Sequence, residues 1–185
     1  MHRAAFASFG CLRQRSAGLA ILTAATIGPL HGQQAATACK LLQVSELEAA
    51  IGGKASATPT GFKQSVPGTM TLDECSVVLK GSGQTHPVSI RIVTDLPMDG
   101  AEAIKLRNTG EARESQWTVA GAKLEQSTVG SAICILAGRP NVASHTTCSI
   151  PRGKGYVEVD VIGSVAELPS MAKVGALAQK AVSRL

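Results

Sequence analysis

Four cysteines strung behind an export-type leader constrain this chain more than any other feature. Cys39, Cys75, Cys134 and Cys148 follow a segment in which Arg3, Arg13 and Arg15 precede Ala17 to Leu30, a run of 14 apolar or small residues without a charge. Basic start, short apolar stretch and small-residue end are the layout of a secretory signal peptide. As a helix, 14 residues reach roughly 21 Å against a bilayer core of about 30 Å, so a retained anchor is the weaker alternative. Ala36-Thr37-Ala38 is the best small-x-small cleavage site. The expected organisation is therefore a leader over 1–38 and one disulfide-stapled domain over 39–185, with Cys39 as the first mature residue. Cys11 leaves with the leader, and the remaining even number of thiols suits an oxidising compartment.

Four cysteines allow three connectivities. One pairing carries a geometric argument: residues 130–137 and 145–150 are short β-prone runs, and a hairpin folded about Asn141 sets Cys134 opposite Cys148. Cross-strand neighbours lie about 5 Å apart, within disulfide reach. Cys39 is then left to Cys75. A rival use of Cys39 exists, because Ala36-Thr37-Ala38-Cys39 is also a degenerate lipobox whose cysteine would carry a lipid anchor; that use would strand Cys75 without a partner.

Charge narrows the function classes. Removing 1–38 takes away three of the 18 basic residues and none of the 13 acids, so the formal charge falls from +5 to +2. The densest basic cluster left is Arg152-Gly153-Lys154, and the mature aromatics are Phe62, Trp117 and Tyr156. Neither a basic stripe nor a base-stacking platform is present, which argues against a nucleic-acid partner. The apolar fraction of 44% exceeds what a disordered chain carries, and no uninterrupted apolar run is long enough for a membrane span.

The chain also reads as an internal duplication over about 75–110 and 148–185. Cys75-Ser76-Val77, Lys80-Gly81-Ser82-Gly83, Val88 to Val93 and Leu96-Pro97-Met98 recur in order as Cys148-Ser149-Ile150, Arg152-Gly153-Lys154-Gly155, Val157 to Ile162 and Leu168-Pro169-Ser170-Met171. Two unrelated hairpins, each followed by a helix, are the plainer alternative. Val88, Ile90 and Ile92 share a strand face that excludes Ser89 and Arg91, and Val157, Val159 and Val161 oppose Tyr156, Glu158 and Asp160. One face is expected to be packed and the other wet. The glycines between paired strands are turn residues, since phosphate-binding glycine motifs must join a strand to a helix. Three helices are expected to cover the packed face. Ser45-Glu46-Leu47-Glu48 reads as a capping box ended by Gly52, and Asp99 with Glu102 starts a second helix that contains Ile104. Met171, Val174, Ala178, Ala181, Val182 and Leu185 form the apolar stripe of a third. Gln116 to Gln126 adds one or two strands around Gly121. The fold class is α+β: a curved antiparallel sheet with helices on one face, built from two pseudo-repeats of strand-turn-strand-helix.

Ala38-Cys39-x-Leu41-Leu42, then Ser45 to Gly52, a mid-chain Cys75 and a terminal Tyr156-Val157-x-Val159-x-Val161 strand before an Ala-rich helix resemble small exported bacterial proteins and lipoproteins related to PsbP-like folds. The resemblance implies an envelope or secreted location, no known catalytic residue, and ligand or protein binding. Cys134 and Cys148 are additions to that pattern.

Chemistry-bearing motifs are sparse. His86 and His145 are the mature histidines; neither sits in a Gly-x-Ser-x-Gly or His-Glu-x-x-His context. His145, Cys148 and Cys134 could in outline hold a metal, but residues three apart on a strand point to opposite faces. Asp73-Glu74 and Glu158-x-Asp160 are close carboxylates, which on strand surfaces are ordinarily solvated; acid-base catalysis would need two converging in a cleft. Trp117 is either a core anchor or part of an exposed contact patch. No catalytic residue, metal ligand or cofactor is assigned. The expected function is non-catalytic binding of a protein or small-molecule partner in the envelope or outside the cell, through the open sheet face with Trp117, Arg91 and Tyr156. The alternatives are an envelope hydrolase built around His86 or His145 and a lipid-anchored structural component.

Overall fold

Alternating β-branched residues and glycine-bearing turns generate eight strands among the described residues. A computed structural model describes residues 36–81, 83–114 and 122–185, without the side chains of 112–114. A 3₁₀ turn at Thr37–Lys40 leads into α1 (Val44–Ile51), β1 (Lys54–Ala55), β2 (Thr60–Val66), β3 (Met70–Lys80), β4 (Thr85–Thr94) and α2 (Gly100–Glu114). There follow β5 (Lys123–Val129), β6 (Ala132–Gly138), β7 (Ser144–Pro151), β8 (Tyr156–Gly163) and α3 (Met171–Val182). The described strands form one antiparallel sheet in the order β1-β3-β4-β8-β7-β6-β5, with β2 also on β3. The protein is α+β, as its patterning requires. Among the described residues no helix is long and apolar enough to cross a membrane.

The register makes the two sheet faces explicit. Val88, Ile90 and Ile92 of β4 pair with Val161, Val159 and Val157 of β8, which pair in turn with Thr146, Cys148 and Ile150 of β7. These residues, together with Cys75, Val77 and Leu79 of β3, make the packed face. α1, α3 and the 3₁₀ turn cover it through Ala38, Leu41, Leu47, Val174, Leu177 and Ala178. The Thr146 hydroxyl, fully buried here, donates to the Pro169 carbonyl at 3.0 Å, so its burial leaves no unsatisfied polar atom.

Both expected disulfides are formed, Cys134–Cys148 as the hairpin geometry selects and Cys39–Cys75 as the pair that remains. Cys134 and Cys148 are register partners on β6 and β7, and their sulfurs are bonded. Asn141 sits midway between them in the left-handed region at φ 62°, a conformation that asparagine tolerates. Cys39 is bonded to Cys75 and ties the 3₁₀ turn to β3. In the turns that join β3 to β4 and β7 to β8, Gly83 and Gly153 take φ of 83° and 53°.

Several expectations are corrected. The helices do not share a face: α2 lies across the face opposite α1 and α3, because Arg107 reaches Glu158 and Ser149, which alternate with the core positions Val157, Val159 and Cys148. α2 has no apolar stripe to bury beyond Ile104; its inward Arg107 and Asn108 suit a polar surface. That face is consequently not simply wet, since Glu158 and Asp160 are 3% and 6% exposed. The capping box of α1 runs from Gln43 to Glu46, with the Gln43 amide donating to Glu46 Oε2 at 2.8 Å. Burial of Leu41, Leu42 and Leu47 starts the helix two residues earlier than Ser45 would, and Glu48 instead accepts from Lys54 and the Ala55 amide. Leu185 lies beyond α3 and is half exposed; Leu177 takes the core position. The expected cap of α2 is present, Asp99 Oδ1 accepting from the Ala101 amide at 2.8 Å. Residues 1–35 and the stretch 115–121, including Trp117, lie outside the described residues.

Candidate functional site

The pairing that builds the packed face necessarily builds rows on the other one. Phe62, Glu74, Arg91, Glu158, Ser149, Ile133 and Thr128 are consecutive register partners from β2 across to β5. Beside them runs Thr60, Ser76, Ser89, Asp160, Thr147, Ile135 and Gln126, and on the other flank Gln64, Leu72, Val93, Tyr156 and Pro151. The centre of the sheet thus carries two polar rows bordered by an apolar one, at cross-strand spacings where side chains touch.

Arg91 is the hub of the polar rows. Its Nε donates to Glu74 Oε2 at 2.8 Å and its Nη1 to Glu158 Oε1 at 2.9 Å, with Asp160 Oδ2 3.8 Å away. α2 contributes Arg107, which pairs with Glu158 Oε2, donates to the Ser149 hydroxyl at 3.0 Å, and lies 5.7 Å over the Tyr156 ring. Ser149 donates to Glu158 Oε2 and Thr147 to Asp160 Oδ1; Ser76 and Ser89 donate to Glu74 Oε1. Three carboxylates and two guanidiniums are therefore interlocked by hydroxyls, which lowers the cost of removing them from water.

Exposure within the cluster is asymmetric. The side chains of Glu74, Glu158 and Asp160 are 13%, 4% and 8% exposed, whereas Arg91 and Arg107 are 30% and 27% exposed. The arginine side chains are thus the more solvent-accessible members of the cluster and the carboxylates the more buried. Burial pushes the Arg107 guanidinium down from its ordinary value, against the opposing pull of Tyr156, Asp160 and Glu111. Burial also pushes the Glu74 carboxyl up, but the Arg91 guanidinium and the Ser76 and Ser89 hydroxyls outweigh it, leaving Glu74 below its ordinary range.

The same sign holds at the N-terminus of α1, where Arg184, Lys180 and the Gln43 amide hold Glu46 well below the usual range. Carboxyls depressed in the folded state bind fewer protons than the unfolded chain does. The stability they supply is complete above the ordinary carboxyl value of 4.5 and drains away as pH falls through the folded values. Urea midpoints are expected to fall steadily between pH 5 and pH 3, by more in the native chain than in Glu74→Gln; equal slopes would overturn this assignment.

The sequence-expected contact residues divide. Arg91 and Tyr156 share the polar face in adjacent rows, with Arg107 over the Tyr156 ring, while Trp117 lies outside the described residues. Glu74, Arg107, Ser149 and Glu158 went unassigned; the opposite charges of Arg91 and Glu158, each on the non-core parity of a central strand, are the signal that would have found them. The four cysteines are spent on the two bridges. Cys39 Sγ is bonded to Cys75, so it has no thiol to carry a lipid thioether, and Cys134 and Cys148 have none to bind a metal beside His145.

The arrangement offers little to hydrolytic chemistry. His86 and His145 stand on opposite faces: His86 contacts the Ile162 carbonyl and Gln84, and His145 lies 3.5 Å from Glu111. His86 pairs with Leu79, whereas Asp73 and Glu74 pair with Ile92 and Arg91 at the far end of the hairpin. Both oxygens of Glu158 already accept, Oε1 from Arg91 and Oε2 from Arg107 and Ser149, which ties this carboxylate into the ion-pair network. A glycosidase pair needs one carboxyl with a raised pKa, and Glu74 is shifted the other way. At the end of the β4–β8 pair, a pocket of about 300 Å³ lined by Val93, Thr94, Arg152 and Tyr156 adjoins the apolar row. No family model, curated protein or solved structure matches this chain.

Proposed function

We propose that this chain is an exported binding domain of the bacterial envelope, without catalytic activity of its own, that meets its ligand or partner through the charged face of the sheet. The observation that carries this is the Glu74–Arg91–Glu158–Arg107 cluster. A sheet that only needed covering would be covered more stably by apolar residues, because charges removed from water recover at best part of their desolvation cost. Here the buried carboxylates orient the guanidiniums of Arg91 and Arg107, whose side chains are 30% and 27% exposed, and a guanidinium edge suits carboxylate or carbonyl acceptors on a partner. The neighbouring Phe62, Leu72 and Tyr156 supply apolar contact. Export is supported by the leader-like segment and by both disulfides.

Two finer assignments belong with this proposal. Kinship to PsbP-like exported proteins rests on the motifs quoted above and is supported by the antiparallel α+β architecture. Internal duplication is supported by the β3–β4 and β7–β8 hairpins, which meet along β4–β8 with their cysteines on one face; α2 and α3, on opposite faces, have diverged from that symmetry.

Photo-cross-linking in the native host tests the contact face. A benzophenone residue at Gln64 looks onto the charged face, and one at Ser65 onto the other. The expected result is a discrete adduct from Gln64 that is lost with Arg91→Met and is absent from Ser65. Equal adducts from both positions, none from either, or an adduct indifferent to Arg91 would sink the assignment.

A further inference from the structure

We propose that export processing cuts this chain upstream of Ala36, so that Ala36, Thr37 and Ala38 remain in the mature protein as a clasp on Asp73, and the bond after Ala38 is left intact. The proposal rests on the export assignment above and places the processing site differently from the small-x-small pattern.

Asp73 stands on the packed face of β3, between Lys63 of β2 and Ile92 of β4, and is 5% exposed. A carboxylate so placed needs donors. It receives two: the Thr37 amide donates to Oδ2 and the Ala38 amide to Oδ1, each at 3.0 Å. Both donors are backbone groups of the segment that cleavage after Ala38 would discard.

The fold is also shaped to admit that segment. Ala36 is 5% exposed, and Ala38 is fully buried among the core residues. β2 passes beneath with Gly61, where an added Cβ would lie 2.5 Å from Ala36 Cβ and 2.9 Å from Cys39 Sγ. Clearance at Gly61, an acceptor at Asp73 and the Cys39–Cys75 bond hold 36–39 at three points. Cleavage after Ala38 would strip the two amides from a buried carboxylate and remove two buried methyl groups. Upstream, Thr23-Ala24-Ala25 and Leu30-His31-Gly32 also place a small residue before a scissile bond and leave the clasp whole.

The test is intact mass and N-terminal sequencing of protein purified from the host envelope. The expected first residue lies at or before Ala36, with both disulfides formed. An envelope protein beginning at Cys39, with a free or acylated amine, overturns the clasp and leaves export standing. A chain recovered from the cytosol with residues 1–35 attached and all five thiols free, Cys11 included, overturns export, and the proposal with it. Two oxidised chains made to begin at Gly32 and at Cys39 supply an independent measurement. The Cys39-start chain is expected to have a folding constant at least about tenfold lower, or to fail to fold. Asp73→Ala should weaken the Gly32-start chain about tenfold more than the Cys39-start chain where both fold. Equal stability of the two chains, or an equal effect of Asp73→Ala in both, would overturn the clasp.

Discussion

Arg91→Met is expected to lower the unfolding free energy by about 2–4 kcal/mol, among the largest losses from any single substitution on the sheet. Removing one partner of a buried ion pair costs roughly 3–5 kcal/mol, because the other charge stays behind uncompensated; partial exposure of Arg91 reduces that figure. Glu74 would keep only the Ser76 and Ser89 hydroxyls, and Glu158 would lean on Arg107 and Ser149. The signature that separates this from lost packing is recovery. Arg91→Met combined with Glu74→Gln removes one charge of each sign, and the pair should be more stable than the sum of the single effects by about 1–2 kcal/mol. Urea denaturation of the four chains at pH 7 measures it. Strict additivity would mean that the two side chains do not sense each other and that the cluster is not a network.

Loss of the Cys39–Cys75 bridge is expected to cost about 4 kcal/mol, and loss of Cys134–Cys148 about 3 kcal/mol. Both values follow from the chain entropy that a cross-link removes from the unfolded state, given sequence separations of 36 and 14. Paired Cys→Ala changes are the suitable variants, since serine would bury a hydroxyl at positions 75, 134 and 148, where the cysteines are 0–2% exposed. Against a typical domain stability of about 5–15 kcal/mol, losing both bridges should leave the chain largely unfolded at 37 °C. Denaturation midpoints with and without dithiothreitol check this; coincident midpoints would show that the bridges add nothing to an already sufficient core.

Legibility from sequence tracked how local each determinant is. Cys134 and Cys148 could be matched because both lie seven residues from Asn141, so hairpin arithmetic alone brings them together. The packed parity of β4 and β8 was equally visible, since Val88, Ile90, Ile92, Val157, Val159 and Val161 repeat with the strand period. Arg107 was not visible. A helix that buries Ile104 and Asn108 and turns Arg107 toward a polar sheet face is patterned like a helix facing water, and what distinguishes the two is a partner, Glu158, 51 residues onward. Glu158 and Asp160 looked like solvated strand residues for the same reason: the groups that bury and satisfy them come from β4, β7 and α2. The early start of α1 escaped because the burial of Leu41 and Leu42 is a property of the assembled core.

The seam between β4 and β8 joins residues such as Arg91 and Glu158 that are 67 positions apart. β3 with β4, and β5 with β6 and β7, can each close as near-neighbour meanders while the remainder of the chain is absent. β8 alone unites them, so the relative contact order is high and the slow step awaits the last strand. Under the export proposed above, passage from the N-terminus would deliver that strand at the end, so the sheet could not close until passage was complete. The same delay leaves two half-sheets with bare edges in the interval, the period when a chaperone would have most to protect.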